Sequence, residues 1–159
     1  MLGYFDDQAA TEAAFNTAGW FMTGDLGWLD AEGYLRITGR KKDIIIRGGH
    51  NIHPAHLEAL ALRHPAVEKA AAFPVSDPRL GERVCLAVVM RSDIPLDPQQ
   101  ILQHLDRAGL SKSDMPEFIL PVAEMPLTAS GKIIKRELVH WVEEGRVQPL
   151  PVRFRSADE

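Results

Sequence analysis

Residues 21–51 read FMTGDLGWLDAEGYLRITGRKKDIIIRGGHN, and this stretch decides how the chain is divided. From Gly27 to Thr38, two strand-like runs flank Asp30–Gly33. Apolar and β-branched residues on either side of an Asp-to-Gly turn signal predict a β-hairpin. The charged run Gly39-Arg40-Lys41-Lys42-Asp43 follows it. Ile44–Ile46 is then a brief β-branched run that ends at Gly48-Gly49. Paired glycines permit positive φ and let a ligand come close to the backbone.

Toward the N-terminus, Asp7 is placed to cap a short helix over residues 8–15, a segment rich in helix formers. Asn16, Gly19 and Gly24 interrupt it. Residues 1–41 therefore hold one helix and one hairpin, too little to bury a core alone.

Toward the C-terminus, Pro54 suits the first turn of a helix with Leu57, Leu60 and Ala61 on one face, stopped by Pro65. Residues 67–75 and 83–91 are apolar, β-branched runs that read as paired strands. Asp97-Pro98 opens a helix with Ile101, Leu102 and Leu105 on its inner face and Gly109 past its end. Phe118–Val122 is a further strand candidate, and Ile134, Leu138, Trp141 and Val142 recur at helical spacing. Beyond Gly145 the tail reads as irregular. The expected fold class is α+β, a three-stranded sheet plus the hairpin, with helices packed on the sheet.

Composition narrows the function. A hydrophobic content of 45% and a charged content of 25% are ordinary for a globular protein. A net charge of −4 argues against a general binder of nucleic acids or anionic membranes. No apolar run approaches the ~20 residues of a membrane span. One cysteine, Cys85, excludes an internal disulfide and a multi-cysteine metal site, and the cytoplasm is the default compartment. Cys85 lies in an apolar strand and reads as a small buried hydrophobe.

Several residues are typed for chemistry. Asp25, in Thr-Gly-Asp-Leu, can accept two hydrogen bonds from a vicinal diol, or can cap its own turn. Arg40 offers a planar fork of donors to ribose or phosphate oxygens, or is one residue of a solvated turn. Lys132 follows Pro-Leu-Thr-Ala-Ser-Gly; this is no phosphate-binding P-loop, because Pro126 stands where that pattern needs glycine. His50, His53 and His56 recur every third residue and suggest zinc. His50 and His53 precede the helix and no cysteine joins them, so they read as a surface cluster and no metal site is expected.

Four motifs together carry a resemblance. TGDL at 23–26, GRKKD at 39–43, RGGHNIHPAHLE at 47–58 and PLTASGK at 126–132, with Arg136 beyond, resemble in order and spacing the C-terminal signatures of the acyl-adenylate-forming enzymes. This AMP-dependent ligase family includes the acyl-CoA synthetases, and the resemblance covers roughly residues 3–141. Residues 114–138 are similar to those of synthetases acting on small or cyclic carboxylates. His50 and His56 stand where many members carry other residues, often acids, and Leu80 stands where some carry an aromatic near the CoA adenine.

The resemblance implies roles. Asp25 would hold the ATP ribose hydroxyls, and Arg40 would contact the nucleotide. Lys42 would be the hinge of a mobile lid. Gly48 and Gly49 would lie beside the channel for the CoA pantetheine. Lys132 would be the catalytic lysine, bridging the substrate carboxylate and the α-phosphate. ATP and CoA would be co-substrates, with Mg2+ in the parent enzyme and no cofactor tightly bound in this chain. Residues 1–41 would end the large N-terminal domain, residues 42–145 would be the lid, and residues 146–159 an irregular tail. The rest of the large domain, in cis or in trans, would supply the phosphate loop and the pocket for a small carboxylate. On this reading the chain is a fragment, a truncated gene product or a split subunit, inactive alone and open to self-association through residues 1–41. The competing class is a non-catalytic binding or regulatory module that keeps the lid fold. A nucleic-acid patch at Arg40, Lys41, Lys42 and Arg47 is disfavoured by the acidic net charge and the lack of an aromatic platform.

Overall fold

The computed structural model describes residues 1–91 and 97–154. The chain divides into two compact units, Met1–Lys42 and Asp43–Glu159.

In the first unit, helix α1 (Gln8–Ala13) starts where Asp7 accepts the Ala10 amide at 2.8 Å. Strands β1 (Asp25–Leu29) and β2 (Leu35–Arg40) then pair antiparallel. Asp30 builds the turn between them: its amide donates to the Tyr34 carbonyl at 3.0 Å, and its carboxylate accepts the Tyr34 amide at 2.8 Å. Gly27 sits at a register shift where a Cβ would lie 2.7 Å from the Arg36 carbonyl oxygen. No residue of this unit is buried.

The second unit runs β3 (Ile45–Arg47), β4 (His50–Ile52), α2 (Pro54–Ala61), β5 (Val67–Asp77) and β6 (Gly81–Met90), then α3 (Pro98–Arg107), β7 (Phe118–Pro121), α4 (Lys135–Glu143) and β8 (Leu150–Pro151). Its sheet has six strands, ordered β4-β3-β6-β7-β8, with β5 paired to β6 from Val67↔Met90 to Asp77↔Gly81. Strands β6 and β7 are parallel, and α3 lies in the crossover between them.

Strands β5 and β6 are apolar along Ala70–Val75 and Val84–Met90 because both faces of the sheet are covered there. Side chains alternate between the faces. Ala70, Ala72, Val84, Leu86 and Val88 pack with Leu57 and Leu60 of α2 and Ile101, Leu102 and Leu105 of α3. Ala71, Phe73, Cys85 and Ala87 pack with Leu138 of α4. Cys85 is fully buried, and that burial pushes its thiol up, away from the reactive thiolate.

The α+β class is as expected, but the sheet is wider than the three strands read from sequence. Strand β4, His-Asn-Ile, carries no strand signal of its own; the Gly48-Gly49 turn folds it back so that Ile52 pairs with Ile45. The segment after Gly145 is not wholly irregular. Leu150 and Pro151 pair with Ile119 and Phe118, and Val152 and Phe154 pack on the core. The irregular tail expected at 155–159 lies outside the described residues. Helix α4 begins at Lys135, so Ile134 is its cap residue and not part of its face.

Candidate functional site

The hairpin brings Asp25 and Arg40 together. They are Cα partners at its open end, and Arg40 donates through Nε to Asp25 Oδ1 at 3.1 Å. Their side chains are 32% and 52% exposed, so the pair adds little to stability. What it does is keep a carboxylate and a guanidinium side by side at the surface. Beside them Thr23, Gly24, Arg40, Lys41 and Lys42 line an open depression of about 500 Å³. The Thr23 hydroxyl accepts the Asp25 amide at 3.1 Å, and the Lys41 amide donates to the Gly24 carbonyl at 2.9 Å, so the chain on both sides of this depression is fixed. Three cationic side chains, Arg40, Lys41 and Lys42, and a carboxylate able to accept a diol, all at the open end of the hairpin, suit a ribose and an anion. Lys42 is the last residue of the first compact unit.

Gly48 and Gly49 form the two-residue turn between β3 and β4, with φ of 57° and 86°. A hairpin turn of this length with both central φ values positive is a glycine requirement. The Gly48 amide donates to the Leu80 carbonyl at 2.8 Å. A Cβ on Gly48 would approach Leu80 Cδ2 to 3.3 Å, whereas one on Gly49 would meet nothing within 4 Å. The backbone at Gly49 is therefore bare on its outer side.

Lys132 stands exposed on a small closed loop. Leu127 and Ile133 form a β-bridge, the Thr128 amide donates to the Lys132 carbonyl at 2.8 Å, and the Lys132 amide donates to Thr128 Oγ1 at 3.0 Å. Gly131, at φ 81°, turns the loop. The loop is rooted on both sides: buried Met125 precedes it, and Lys135 follows it. Lys135 Nζ lies 2.7 Å from Glu58 Oε1, which also accepts the Ala72 amide at 2.7 Å. Glu58 thus joins α2, β5 and α4 beneath the loop. Lys135 is tied down, while Lys132 has no carboxylate within ion-pair distance among the described residues.

The three histidines do not converge. His50 lies on β4 with Nε2 2.7 Å from Asp114 Oδ1, His53 is the N-cap of α2, and His56 is inside α2. Among the described residues no group of three or more His, Cys, Asp or Glu is placed to hold a metal ion. Sequence reasoning missed Glu58, Asp114 and Glu117, which fasten these loops. Each is a lone acid whose partner lies 14 to 70 residues away, so no local pattern marks it.

Residues 56–132 match the family model of the AMP-binding enzyme C-terminal domain. Over 136 residues the chain is 42% identical to the medium-chain fatty-acid–CoA ligase of Escherichia coli (strain K12), covering 85% of this chain and 24% of that ligase. Among solved structures it is similar to ATP-bound MatB from Rhodopseudomonas palustris, with a TM-score of 0.80 and 34% identity, over 89% of this chain and 28% of that one. It is also similar to the o-succinylbenzoate CoA synthetase MenE of Bacillus subtilis, solved with its acyl-adenylate intermediate. There the TM-score is 0.78 and the identity 34%, over 86% of this chain and 27% of that one. The chain spans about a quarter of the length of these proteins. Fold, loops and relatives together define a C-terminal portion of the adenylate-forming enzymes. In particular, residues 56–132 are those of an AMP-binding enzyme C-terminal domain, and the curated relatives that match most of this chain include acyl-CoA ligases.

Proposed function

We propose that this chain serves as the C-terminal portion of an ATP- and CoA-dependent carboxylate ligase, acting with a large N-terminal domain. The observation that carries this reading is Lys132, an exposed lysine on a hydrogen-bonded loop within the family-matched residues, with no carboxylate within ion-pair distance among the described residues. In the first half-reaction a carboxylate oxygen attacks the α-phosphorus of ATP and pyrophosphate leaves, giving the acyl-adenylate. Negative charge gathers where carboxylate and phosphate oxygens meet, and a preorganised ammonium offsets it. Asp25 accepts the ribose hydroxyls, and Arg40 beside it contacts the nucleotide. In the second half-reaction the CoA thiolate attacks the acyl carbonyl and AMP leaves.

Lys132 has no part in that second step, which calls for its withdrawal. The boundary between the two compact units falls directly after Lys42, which supports a pivot there. The bare outer side of Gly49 supports passage of the thin pantetheine arm past the turn.

The test joins the chain to the large domain of such a ligase, in cis or in trans. Lys132→Ala is expected to slow adenylation by ~10²–10³ while sparing thioester formation from preformed acyl-adenylate. Equal loss in both half-reactions would overturn the assignment, and a purely binding module would leave both untouched. The 159-residue chain alone is expected to release no pyrophosphate from ATP and a carboxylate, because catalysis by positioning needs both reactants held.

A further inference from the structure

The Gly48–Gly49 turn is gripped from both sides by one distant segment. Arg47, directly before the turn, donates through Nη1 to Glu117 Oε1 at 2.6 Å and to the Met115 carbonyl at 3.3 Å. Its Nη2 donates to the Ser113 carbonyl. His50, directly after the turn, pairs with Asp114 Oδ1 at 2.7 Å. The segment is itself fastened to the sheet: Glu117 Oε2 accepts the Val84 amide at 3.0 Å, and the Glu117 amide donates to the Val84 carbonyl at 3.0 Å.

The sheet explains why Glu117 is there. Strand β6 meets β3 only at Gly81, and its ladder with β7 starts at Cys85. Between them the Val84 amide faces a gap, where an unpaired buried donor is costly. Glu117 fills the gap with one carboxylate oxygen and offers the other to Arg47.

A two-residue hairpin turn closes through its own backbone, and Arg47 and His50 are already its Cα partners. One ion pair, one histidine–carboxylate bond and two carbonyl bonds reaching 64 to 70 residues along the chain are more than closure needs. Their added effect is to fix the direction in which the bare Gly49 backbone points. We propose that Arg47 and His50 are positioning residues for the thiol-acceptor step. With Glu117 and Asp114 they clamp the turn so that it stays clear of the CoA arm. Arg47, 15% exposed, is the inner jaw, and His50, 49% exposed, is the rim. This inference rests on the reading of the turn as part of the CoA channel.

The experiment uses the ligase assembled from this chain and its large domain. Adenylation is read by pyrophosphate exchange, and thioester formation by varying CoA against synthetic acyl-adenylate. His50→Ala and Asp114→Ala are each expected to raise the KM for CoA about three- to fivefold, the scale of one part-exposed side-chain hydrogen bond. The double variant should be no worse than either single one, since both remove one contact. Arg47→Lys keeps the charge but cannot span Glu117 and two carbonyls, so its KM for CoA should rise about tenfold. Adenylation should stay within about twofold throughout, as a KM-only loss in the second step requires.

Gly49→Leu is the reference for the channel itself. Gly49→Asn, which tolerates positive φ, separates backbone strain from obstruction. If Gly49→Leu and Gly49→Asn both leave the CoA step unchanged, the channel reading and the clamp fall together. If Gly49→Leu blocks CoA while the Arg47 and His50 variants do not, the channel stands and the clamp falls. Equal losses in both half-reactions, or losses that add in the double variant, would also overturn the clamp.

Discussion

In residues 1–42 Trp20, Trp28 and Tyr34 are 73%, 53% and 70% exposed, whereas in the second unit Phe73, Leu86 and Leu138 are fully buried. The two regions draw on the same apolar residue types and use them in opposite ways. The second unit has a sheet with helices on both faces, so each strand finds a partner layer. The first has a two-stranded hairpin and a one-and-a-half-turn helix, whose backbone bonds are satisfied but whose apolar faces are not covered. A hairpin alone cannot bury both its faces. Contiguous exposed apolar surface marks a place meant for another surface. The comparison teaches that secondary structure in this chain extends further than self-sufficient packing does.

The sharpest way to break this comparison is to truncate one large side chain in each region. Phe73→Ala should cost about 3–5 kcal/mol in urea unfolding, the range for emptying a core aromatic site. Trp28→Ala should change stability by less than about 0.5 kcal/mol, as at other surface positions. A comparable cost at Trp28 would mean that the first unit is covered after all. If it is covered by a second copy of the chain, the mass in solution would rise with concentration, and Trp28→Ala would lower it.

A smaller effect sharpens the account of the second unit. Glu58→Gln keeps an acceptor for the Ala72 amide but loses the charge that holds Lys135. Because the two side chains are 18% and 26% exposed, the expected cost is about 1 kcal/mol. It should appear as a lower urea midpoint with an unchanged slope. No change would show that the loop rooted at Lys135 stands without this pair.

The smallest effect is a pH dependence confined to the second unit. Burial, then the neighbouring His104, lowers the His64 pKa from its ordinary 6.5. The unfolded chain therefore takes up a proton at this site at higher pH than the folded one. The stability His64 lends is present above pH 6.5 and is lost as pH falls through the lower folded value. Asp77 acts later in the same direction. The Leu80 amide above all, then the Arg79 amide and Arg83, hold its carboxyl below the ordinary 3.8, so its contribution is lost only in stronger acid. Melting temperature against pH should show the first decline below 6.5, and His64→Gln should flatten it. A decline unchanged in that variant would assign it to another group.

Much of this was legible in the sequence. The inner faces of α2 and α3 follow from Leu57, Leu60, Ala61, Ile101, Leu102 and Leu105 at helical spacing, and all six are buried. The hairpin follows from the Asp30–Gly33 turn, but the Asp25–Arg40 pair does not: continued from that turn the register would set Asp25 opposite Gly39, and only the shift between Leu26 and Gly27 brings it opposite Arg40. Strand β4 was not legible, because three polar-to-apolar residues become a strand only after the glycine turn folds them onto β3. Strand β8 was not legible either: Leu-Pro pairs only as an edge, where proline's missing donor does no harm. The Arg47–Glu117 contact joins residues 70 apart, and no periodicity links them.

The closed loop around Lys132 bears on how the chain meets proteases. Trypsin cleaves after exposed basic residues, and Lys132 is exposed. A protease nonetheless takes its target as an open, extended segment. The Leu127–Ile133 bridge and the bond from the Ile134 amide to the Pro126 carbonyl at 2.8 Å must break first. Cleavage then follows the small population of the opened loop. Lys41 and Lys42 are exposed in the short 3₁₀ turn Lys41–Asp43 at the edge of the first compact unit. A brief digest should therefore nick the chain there and leave the peptide bond after Lys132 whole, although both sites offer the enzyme a surface lysine.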